Sequence, residues 1–437
     1  MFSKSFCSSP WFHLRLTYNG DFNECRWYKE NTTVAPMNIS TTSIMEFYNS
    51  DRMRQLRSDL LNGQSPTGCT TCYYEDTFNK LNGRTRQLLK SAIKINDFDR
   101  TTRSSPHYQR FLHSQENHGH SNYQPVDLQI DLGNICNSAC IMCDPVASSQ
   151  LHNDYKKLHK LNSTLFKNPA EYQSWTQDPD TLDRVIAEII AIPNLKYIHF
   201  LGGETLYNQA FYVICDRLIE ANVAKDIIVG TTTNGTIYSK HLEHIIPQFK
   251  EFHLGISIES VTKLNDYVRY PGKIDSILPI IDQFLTLRNT MQLYISLRIT
   301  PNIFTISEID QIFEYMIGHK VIAESCNILF EPACLRVELM PTGIREQIIK
   351  KLDQLIIKYN LIKTYNINIR CPSIIDEVIA NTIIEYHTFL STYIAPTDIE
   401  FQRKQLVIFL KSFESIRDNS IVDYAPEYEQ FLKNYGY

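Results

Sequence analysis

The sequence predicts an α/β fold in which buried parallel strands alternate with helices, with a small cysteine-bearing module before it and a helical region after it. The first observation is a series of apolar, strand-like runs: LQIDLG (128–133), LKYIHFLGG (195–203), DIIVGTTTNG (226–235), FHLGISIES (252–260), QLYISLRIT (292–300) and CNILFEPA (326–333). The second is that amphipathic stretches such as QAFYVICDRLIEAN lie between these runs, a pattern typical of βα crossovers. The third is that residues 342–437 keep the helical spacing of apolar positions.

The composition argues against a nucleic-acid or membrane partner. The 437 residues carry a net charge of −5 and contain no apolar run of 18 residues, so neither attraction to phosphate backbones nor a membrane span is indicated. The N-terminus lacks the charged and then apolar layout of a secretion signal. We therefore expect a cytoplasmic protein, in which clustered cysteines are more often metal ligands than disulfides.

The eleven cysteines fall into three groups. An N-terminal group comprises Cys7, Cys25, Cys69 and Cys72. A compact group after the first predicted strand comprises Cys136, Cys140 and Cys143. The remaining cysteines stand singly and are interpreted as small buried hydrophobic residues; they are Cys215, Cys326, Cys334 and Cys371.

The compact group lies in the segment LQIDLGNICNSACIMCDP. A structural zinc site requires four ligands, whereas three thiolates on a four-iron cluster leave one iron open to a small molecule. The spacing of Cys136, Cys140 and Cys143 after a strand resembles that of the radical SAM (S-adenosylmethionine) superfamily. The resemblance implies a partial (β/α)6 TIM-like barrel, a [4Fe–4S] cluster on the three cysteines and SAM bound to the open iron. It also implies that Met142, where the family usually has an aromatic residue, lies near the adenine of SAM through its backbone.

Gly202, Gly203 and Glu204 follow the second predicted strand and resemble the GGE segment of the family. Two adjacent glycines permit close backbone approach and unusual dihedral angles. The resemblance implies that this segment holds the amino group of SAM. The alternative is a glycine turn followed by a solvated Glu204.

Three further residues resemble positions that contact SAM in the family. The resemblance implies that Asn234, in the segment TNG, lies near the ribose or carboxylate and that Ser257 reaches the ribose. Arg298 is implied to bind the carboxylate, whose geometry a guanidinium matches. The alternatives are an Asn-Gly turn at Asn234 and a structural ion pair at Arg298.

Glu259 and Tyr270 are candidate catalytic residues on the substrate side. Glu259 is expected to share a strand face with Ser257 because strand side chains alternate. Tyr270 lies in LNDYVRYPGKID (264–275), which resembles a family segment after the fourth strand. The alternative for Tyr270 and its neighbour Arg269 is that they brace the rim of the barrel.

The N-terminal cysteines belong to a predicted module of their own. Residues 7–25 predict a β-hairpin with an Asn-Gly turn, residues 43–64 a helix, and the sequence CTTC brings Cys69 and Cys72 to one metal centre. Four cysteines can ligate one [4Fe–4S] or [2Fe–2S] cluster or one zinc ion. The module resembles SPASM and twitch domains, placed here before the barrel, which implies an auxiliary iron–sulfur cluster. We interpret that cluster as [4Fe–4S], with structural zinc as the alternative.

These features divide the chain into four predicted segments. They are a twitch/SPASM-like domain at 1–100, a linker at 101–125, the partial barrel at 126–341 and a helical region at 342–437. The resemblance implies a radical SAM enzyme that cleaves SAM reductively to a 5′-deoxyadenosyl radical and abstracts a hydrogen atom. The leading substrate is a peptide or protein side chain, giving a crosslink, an oxidation or an epimerisation, with a flavodoxin or ferredoxin as electron donor. The alternatives are a radical SAM enzyme that acts on a small-molecule metabolite and a non-catalytic iron–sulfur electron-transfer protein.

Overall fold

The computed structural model describes residues 5–25, 28, 35–76, 106–171, 173–323, 327–359, 361 and 375–437. Cys326, Cys371 and residues 101–105 of the predicted linker lie outside these residues. The strands are β1 (His13–Leu16), β2 (Phe22–Asn23), β3 (Asp127–Asp131), β4 (Tyr197–Leu201), β5 (Ile228–Thr233), β6 (Glu251–Ser257), β7 (Leu293–Arg298) and β8 (Ile322–Ala323).

Helices occur before, between and after these strands. The first five are α1 (Ser9–Phe12), α2 (Ile44–Tyr48), α3 (Asp51–Leu61), α4 (Thr70–Asp76) and α5 (Pro106–Glu116). Those between β3 and β8 are α6 (Leu151–Leu161), α7 (Pro179–Ile190), α8 (Gln209–Glu220), α9 (Lys240–Ile245), α10 (Leu264–Val268), α11 (Ile274–Leu287) and α12 (Ile309–His319). The last four are α13 (Thr342–Lys358), α14 (Ile375–Thr392), α15 (Ile399–Arg417) and α16 (Glu429–Asn434).

The described strands form an eight-stranded sheet in the order β2-β1-β3-β4-β5-β6-β7-β8. β3 pairs in parallel with β4, β4 with β5, and β7 with β8. Parallel neighbours that follow each other in sequence need crossover connections, and at least one helix lies between each successive pair from β3 to β8. The predicted α/β class and the helical C-terminal region are therefore confirmed.

The N-terminal hairpin forms as predicted, but it also extends the sheet. β1 pairs antiparallel with β2 and parallel with β3. Gly20 has φ +87° in the turn, where Thr17 N donates to the Asp21 carbonyl at 2.8 Å. The single helix predicted for 43–64 is instead α2 and α3, because Ser50 caps a new helix by accepting a hydrogen bond from Met53 N.

The sixth predicted strand is wrong. The two-residue strand β8 precedes the run CNILFEPA, and the described residues 327–333 of that run are not in a strand. Phe330 is 67% exposed, so the run is not buried on both faces. Pro332 has no backbone N–H to contribute to a ladder. β6 also ends at Ser257, so Glu259 lies beyond the strand rather than on its face.

The chain divides into two compact units. The first comprises Met1–Gly133, Tyr172–Thr231 and His241–Phe252; the second comprises Asn134–Glu171, Thr232–Lys240 and His253–Tyr437. The four segments predicted from the sequence stay predictions. No helix among the described residues is long and apolar enough to cross a bilayer.

In the second unit, α15 packs on the helix that follows the cysteine segment. The rings of Phe409 and Phe413 lie 5.6 and 5.7 Å from that of Phe166, and Phe413 lies 6.4 Å from Tyr155 of α6. All of these rings except that of Tyr155 are almost fully buried. This aromatic contact fixes the end of α15, at Arg417, within the second unit.

Candidate functional site

The segment that carries Cys136, Cys140 and Cys143 is irregular and is held by its backbone. Ala139 N donates to the Tyr270 carbonyl at 2.6 Å, and Ile141 N donates to the Val268 carbonyl at 2.9 Å. These two bonds flank Cys140, so Cys140 lies opposite Arg269. The segment 268–270, rather than a strand, therefore holds the middle of the cysteine segment in place.

Cys136 and Cys140 are shielded from water, Cys143 is half-buried, and the three thiols interact with one another. Cys136 is 7% and Cys140 4% exposed, and Ser138 N donates to Cys136 Sγ at 3.4 Å. A hydrogen bond between Cys143 and Cys140 lowers the pKa of Cys140 to about 6 and raises that of Cys143. A thiol next to a thiolate is suited to soft metal ions, which bind the deprotonated form.

The donor set of three cysteines fits an iron–sulfur cluster. Among the residues that the structure describes, no three His, Cys, Asp or Glu side chains converge as they would on one metal ion. Cysteines that hold a cubane bind different irons, so their sulfur atoms need not converge on one point. Thiolates are also the usual ligands of such clusters.

A buried ion pair supports the segment that faces Cys140. Arg269 Nη1 donates to Glu259 Oε1 at 3.1 Å, and Glu259 Oε2 accepts from Thr300 N at 2.8 Å. The side chains of Arg269 and Glu259 are 12% and 3% exposed. Burial raises the pKa of Glu259 to about 7, against the opposing effects of Arg269 and the Thr300 N–H. Burial lowers the pKa of Arg269, but the charges of Cys140 and Glu259 outweigh it and raise that pKa above its usual value.

Asn234 contacts the cysteine segment directly. Its Nδ2 donates to Asn137 Oδ1 at 2.7 Å and to Ser138 Oγ at 2.9 Å, and its Oδ1 accepts from Thr236 Oγ1 at 2.6 Å. Asn137 Nδ2 in turn donates to Thr236 Oγ1 at 2.8 Å. The turn after β5 is thereby tied to the residues between Cys136 and Cys140, and a contact of Asn234 with SAM stays a prediction.

Gly202 and Gly203 have backbone conformations that favour glycine. Their φ angles are +103° and +48°. A Cβ on Gly202 would lie 2.4 Å from the carbonyl oxygen of Gly133, so the backbone after β4 approaches the backbone after β3 closely. Glu204 is 1% exposed and accepts a hydrogen bond from Leu206 N at 3.1 Å. The solvated turn considered as an alternative is therefore wrong for Glu204, whereas its role toward SAM stays a prediction.

The remaining predicted SAM contacts lie in the second unit, with Ser257 and Arg298 at strand ends and Met142 in the cysteine segment. Ser257 is the last residue of β6 and is half-buried. Arg298 is the last residue of β7, and its side chain lies over Gly255. A Cβ added to Gly255 would lie 2.5 Å from Arg298 Nε. Met142 Sδ accepts from Nδ2 of the buried Asn302 at 3.4 Å. Tyr270 is half-buried, and its carbonyl rather than its hydroxyl supports the cysteine segment.

The N-terminal cysteines lie in the first unit. Burial, together with the charges of Cys25 and Cys72, raises the pKa of Cys69 to about 12. These three thiols are therefore neighbours. Cys7 and Tyr28 pack against the same apolar cluster, which includes Trp11 and Phe111. Tyr28 lies beside the residue before Cys69, since a Cβ on Gly68 would come 2.3 Å from its ring. The structure thus groups three of the four predicted ligands and places the fourth on the same core.

Two residues near the cysteine segment were underrated or missed from the sequence. Arg269 was considered only as a brace for the barrel rim, although it lies opposite Cys140 and acts on its charge. Arg417 carries no sequence signal, because an arginine in the last turn of a helix is the ordinary partner of the helix dipole. Its charge nevertheless contributes to lowering the pKa of Cys140, after the Cys143 hydrogen bond and Arg269.

Comparisons with known proteins agree with the two cysteine groups. The model of the radical SAM superfamily matches residues 130–315, and that of SPASM, an iron–sulfur cluster-binding domain, matches residues 7–73. No curated protein sequence matches the chain. The match to SPASM favours an auxiliary iron–sulfur cluster over zinc.

Solved structures show only distant likeness. SuiB of Streptococcus suis bound to precursor peptide SuiA is 14% identical, with 67% of this chain and 60% of SuiB covered and a TM-score of 0.38. Native anSMEcpe with bound AdoMet is 15% identical, with 54% of this chain and 62% of that chain covered and a TM-score of 0.39. The chain thus spans about 60% of the length of each. The family models show the cofactors, which are a [4Fe–4S] cluster, SAM and an auxiliary iron–sulfur cluster. The chain therefore contains a region that matches the radical SAM superfamily, preceded by a region that matches the SPASM domain.

Proposed function

We propose that the chain is a radical SAM enzyme that holds its SAM-cleaving cluster on Cys136, Cys140 and Cys143 and acts on a peptide or protein substrate. The observation that carries the cluster site is the buried cysteine segment, in which a Cys140–Cys143 hydrogen bond and two nearby guanidinium groups favour thiolate. A cluster held there and reduced would supply the electron for cleavage of SAM to methionine and a 5′-deoxyadenosyl radical, which would abstract hydrogen from the substrate.

The protein's own contribution is to position ligands and to exclude water. The hydrogen bonds of Ala139 and Ile141 fix the segment around Cys140, and Asn234 fixes the residues before it. Low exposure of Cys136 and Cys140 keeps solvent from the sulfur atoms, which strengthens electrostatic interactions there. We assign the amino group of SAM to Gly202, Gly203 and Glu204, which follow β4 and in which both glycines have positive φ angles.

The other contacts to SAM are assigned to two residues at strand ends and to one residue of the cysteine segment. We assign the carboxylate to Arg298, the ribose to Ser257 and the adenine to the backbone of Met142. The side chain of Asn234 already forms hydrogen bonds with Asn137 and Ser138. We therefore assign it an indirect role, in which it acts on SAM through those two residues. Glu259 and Tyr270 were predicted as catalytic residues on the substrate side. We assign them instead to support of the cysteine segment.

We assign the auxiliary cluster to Cys7, Cys25, Cys69 and Cys72. In the absence of metal, burial holds Cys69 as a thiol with a pKa of about 12. Cluster assembly must therefore displace its proton, which couples metal binding to folding of this module. The SPASM match begins at Cys7 and ends one residue after Cys72, which supports this ligand set.

The peptide substrate rests on the SPASM domain, because such domains are frequent in enzymes that modify ribosomally made peptides. We propose a crosslink, an oxidation or an epimerisation of a side chain, with a flavodoxin or ferredoxin as electron donor. Binding of candidate peptides to the anaerobic enzyme tests this part. A small-molecule substrate gains if deoxyadenosine formation responds to metabolites and not to any peptide.

The experiment that tests the cluster site is anaerobic reconstitution followed by iron analysis and SAM cleavage. We expect about eight irons per chain, as for two four-iron clusters, and formation of 5′-deoxyadenosine after reduction. Cys140→Ala should lose about half the iron and all SAM cleavage. Cys215→Ala is the matched control, because Cys215 is a fully buried single cysteine in α8. Two clusters without SAM binding or cleavage in the wild type would favour the electron-transfer alternative.

A further inference from the structure

Arg417, the last residue of α15, is buried with part of its hydrogen-bonding capacity unused. Its side chain is 2% exposed, and its Nη2 donates to Asp154 Oδ2 at 3.1 Å. Its Nε and Nη1 find no acceptor among the residues that the structure describes. Buried donors in native proteins are almost always satisfied, so these N–H groups indicate an acceptor beyond the residues that the structure describes.

The surroundings of Arg417 are those of the cysteine segment. Its guanidinium lies 5.0 Å from the ring centre of Tyr270, whose carbonyl accepts the N–H of Ala139. Its partner Asp154 is on α6, where the adjacent Tyr155 hydroxyl donates to the Cys143 carbonyl at 3.3 Å. The guanidinium of Arg417 therefore borders the cysteine segment on two sides, through Tyr270 and through α6.

A ligand that exchanges with solvent fits Arg417 less well than a resident group. The faces of the guanidinium are covered by Phe413, at 4.4 Å from the ring centre, and by Tyr270. Asp154 takes an N–H on the remaining edge. Because only 2% of the side chain is exposed, an exchanging carboxylate would have to displace these neighbours.

We propose that Arg417 is a positioning residue that donates hydrogen bonds to sulfur atoms of the cluster on Cys136, Cys140 and Cys143 and thereby raises its reduction potential. The inference rests on the cluster site proposed above. Reduction adds one electron, taken from an external donor, to an already anionic cluster, and hydrogen bonds to its sulfur atoms stabilise the added charge. Arg417 lies outside both regions matched by family models, so the helical C-terminal region becomes part of the redox site.

The test is an EPR-monitored redox titration of the anaerobic holoenzyme with viologen mediators. Addition of SAM identifies the signal of the cluster on the three cysteines, since that signal changes and the auxiliary one does not. Arg417→Met removes the donors and the charge but keeps an apolar stem. Arg417→Lys keeps the charge and loses the planar fork of donors. Arg403→Met is the matched control, because Arg403 is on the same helix, pairs with Glu400 and lies over an aromatic ring.

We expect Arg417→Met to keep its iron and to show at least a tenfold lower ratio of reduced to oxidised cluster at a fixed potential. For a one-electron couple this is a shift of about 59 mV to more negative values. Arg417→Lys should lie between Met and wild type, and Arg403→Met should match wild type. If Arg417→Met loses iron, the potential of Arg417→Lys decides instead. A value more negative than that of the wild type supports the inference, and the wild-type value contradicts it.

Two results would overturn the inference. One is an iron-replete Arg417→Met variant with the wild-type potential. The other is an unchanged potential with weakened SAM binding in equilibrium dialysis, which would assign Arg417 to SAM. Failure of the proposed function is distinguishable, because the wild-type protein would then assemble no cluster on Cys136, Cys140 and Cys143.

Discussion

The buried pair of Arg269 and Glu259 offers the sharpest quantitative prediction. At 3.1 Å and an effective dielectric constant of about 20, two unit charges attract by about 5 kcal/mol. Breaking one side of a buried pair typically costs about 3–5 kcal/mol, because the remaining charge stays buried. We therefore expect Arg269→Met to lower the free energy of unfolding at pH 8 by at least about 3 kcal/mol. At this pH, which is above the pKa of about 7, Glu259 is ionised in the folded protein.

The assay is a double-mutant cycle on the protein without metal, measured by urea denaturation. Glu259→Gln should also destabilise, since it leaves Arg269 buried without its carboxylate. The double variant should be more stable than the sum of the single effects predicts, by about 2 kcal/mol or more. Arg217→Met is the control, because the pair of Arg217 and Asp183 has a similar distance of 3.0 Å but is exposed and should lose less than about 1 kcal/mol.

The pair also has a local consequence that denaturation alone does not measure. Arg269 lies between the two carbonyls that hold Ala139 and Ile141, so loosening it should weaken retention of iron by the cysteine segment. Additive single effects in the double-mutant cycle would refute the coupling between Arg269 and Glu259. An Arg269→Met variant as stable as Arg217→Met would refute the burial argument itself.

Three further predictions concern other parts of the site. Gly202→Ala should abolish SAM binding in equilibrium dialysis and lower the melting temperature. At φ +103°, the added Cβ would lie 2.4 Å from the Gly133 carbonyl oxygen. Unchanged binding would show that this backbone can move. Asn234→Ala removes two hydrogen bonds to the cysteine segment. It should lower the free energy of unfolding by about 2 kcal/mol and speed the loss of iron to a chelator. Iron loss at the wild-type rate would contradict the role of Asn234 in holding the segment. In the metal-free protein, burial raises the pKa of Glu259 from 4.5 to about 7. The folded state then retains a proton that the unfolded state releases, so stability should fall by about 3 kcal/mol as the pH rises from 4.5 to 7, and Glu259→Gln should remove this part of the slope.

Local patterns in the sequence predict most of what forms locally in the structure. The cysteine spacing, the glycine pair and the first five strands of the predicted barrel depend on residues close together in the chain, and the hairpin at Gly20 needs only its own turn. The sixth strand fails because an apolar run does not show whether a neighbouring strand exists. The run at 326–333 contains an exposed Phe330 and a proline, and β8 forms earlier instead.

Contacts over long sequence separations are not predictable in this way. Asp154 and Arg417 are 263 residues apart, and neither position differs in pattern from an ordinary helix residue. The parallel pairing of β1 with β3 likewise joins the N-terminal hairpin to the sheet without a sequence signal. Such contacts arise when packed helices and strands meet in the fold, which composition and periodicity do not specify.

The two arginines near Cys140 suggest how the site handles charge. Arg269 is paired with Glu259 and Arg417 with Asp154, so each guanidinium is accompanied by its own carboxylate. Such pairs add little net charge at a distance, and their effect on the sulfur atoms depends on where their free N–H groups lie. Arg269 Nε, like Nε and Nη1 of Arg417, has no acceptor among the described residues. The site therefore offers hydrogen-bond donors to a cluster without the cost of unpaired buried cations, and this favours control of its potential by hydrogen bonds to sulfur rather than by net charge.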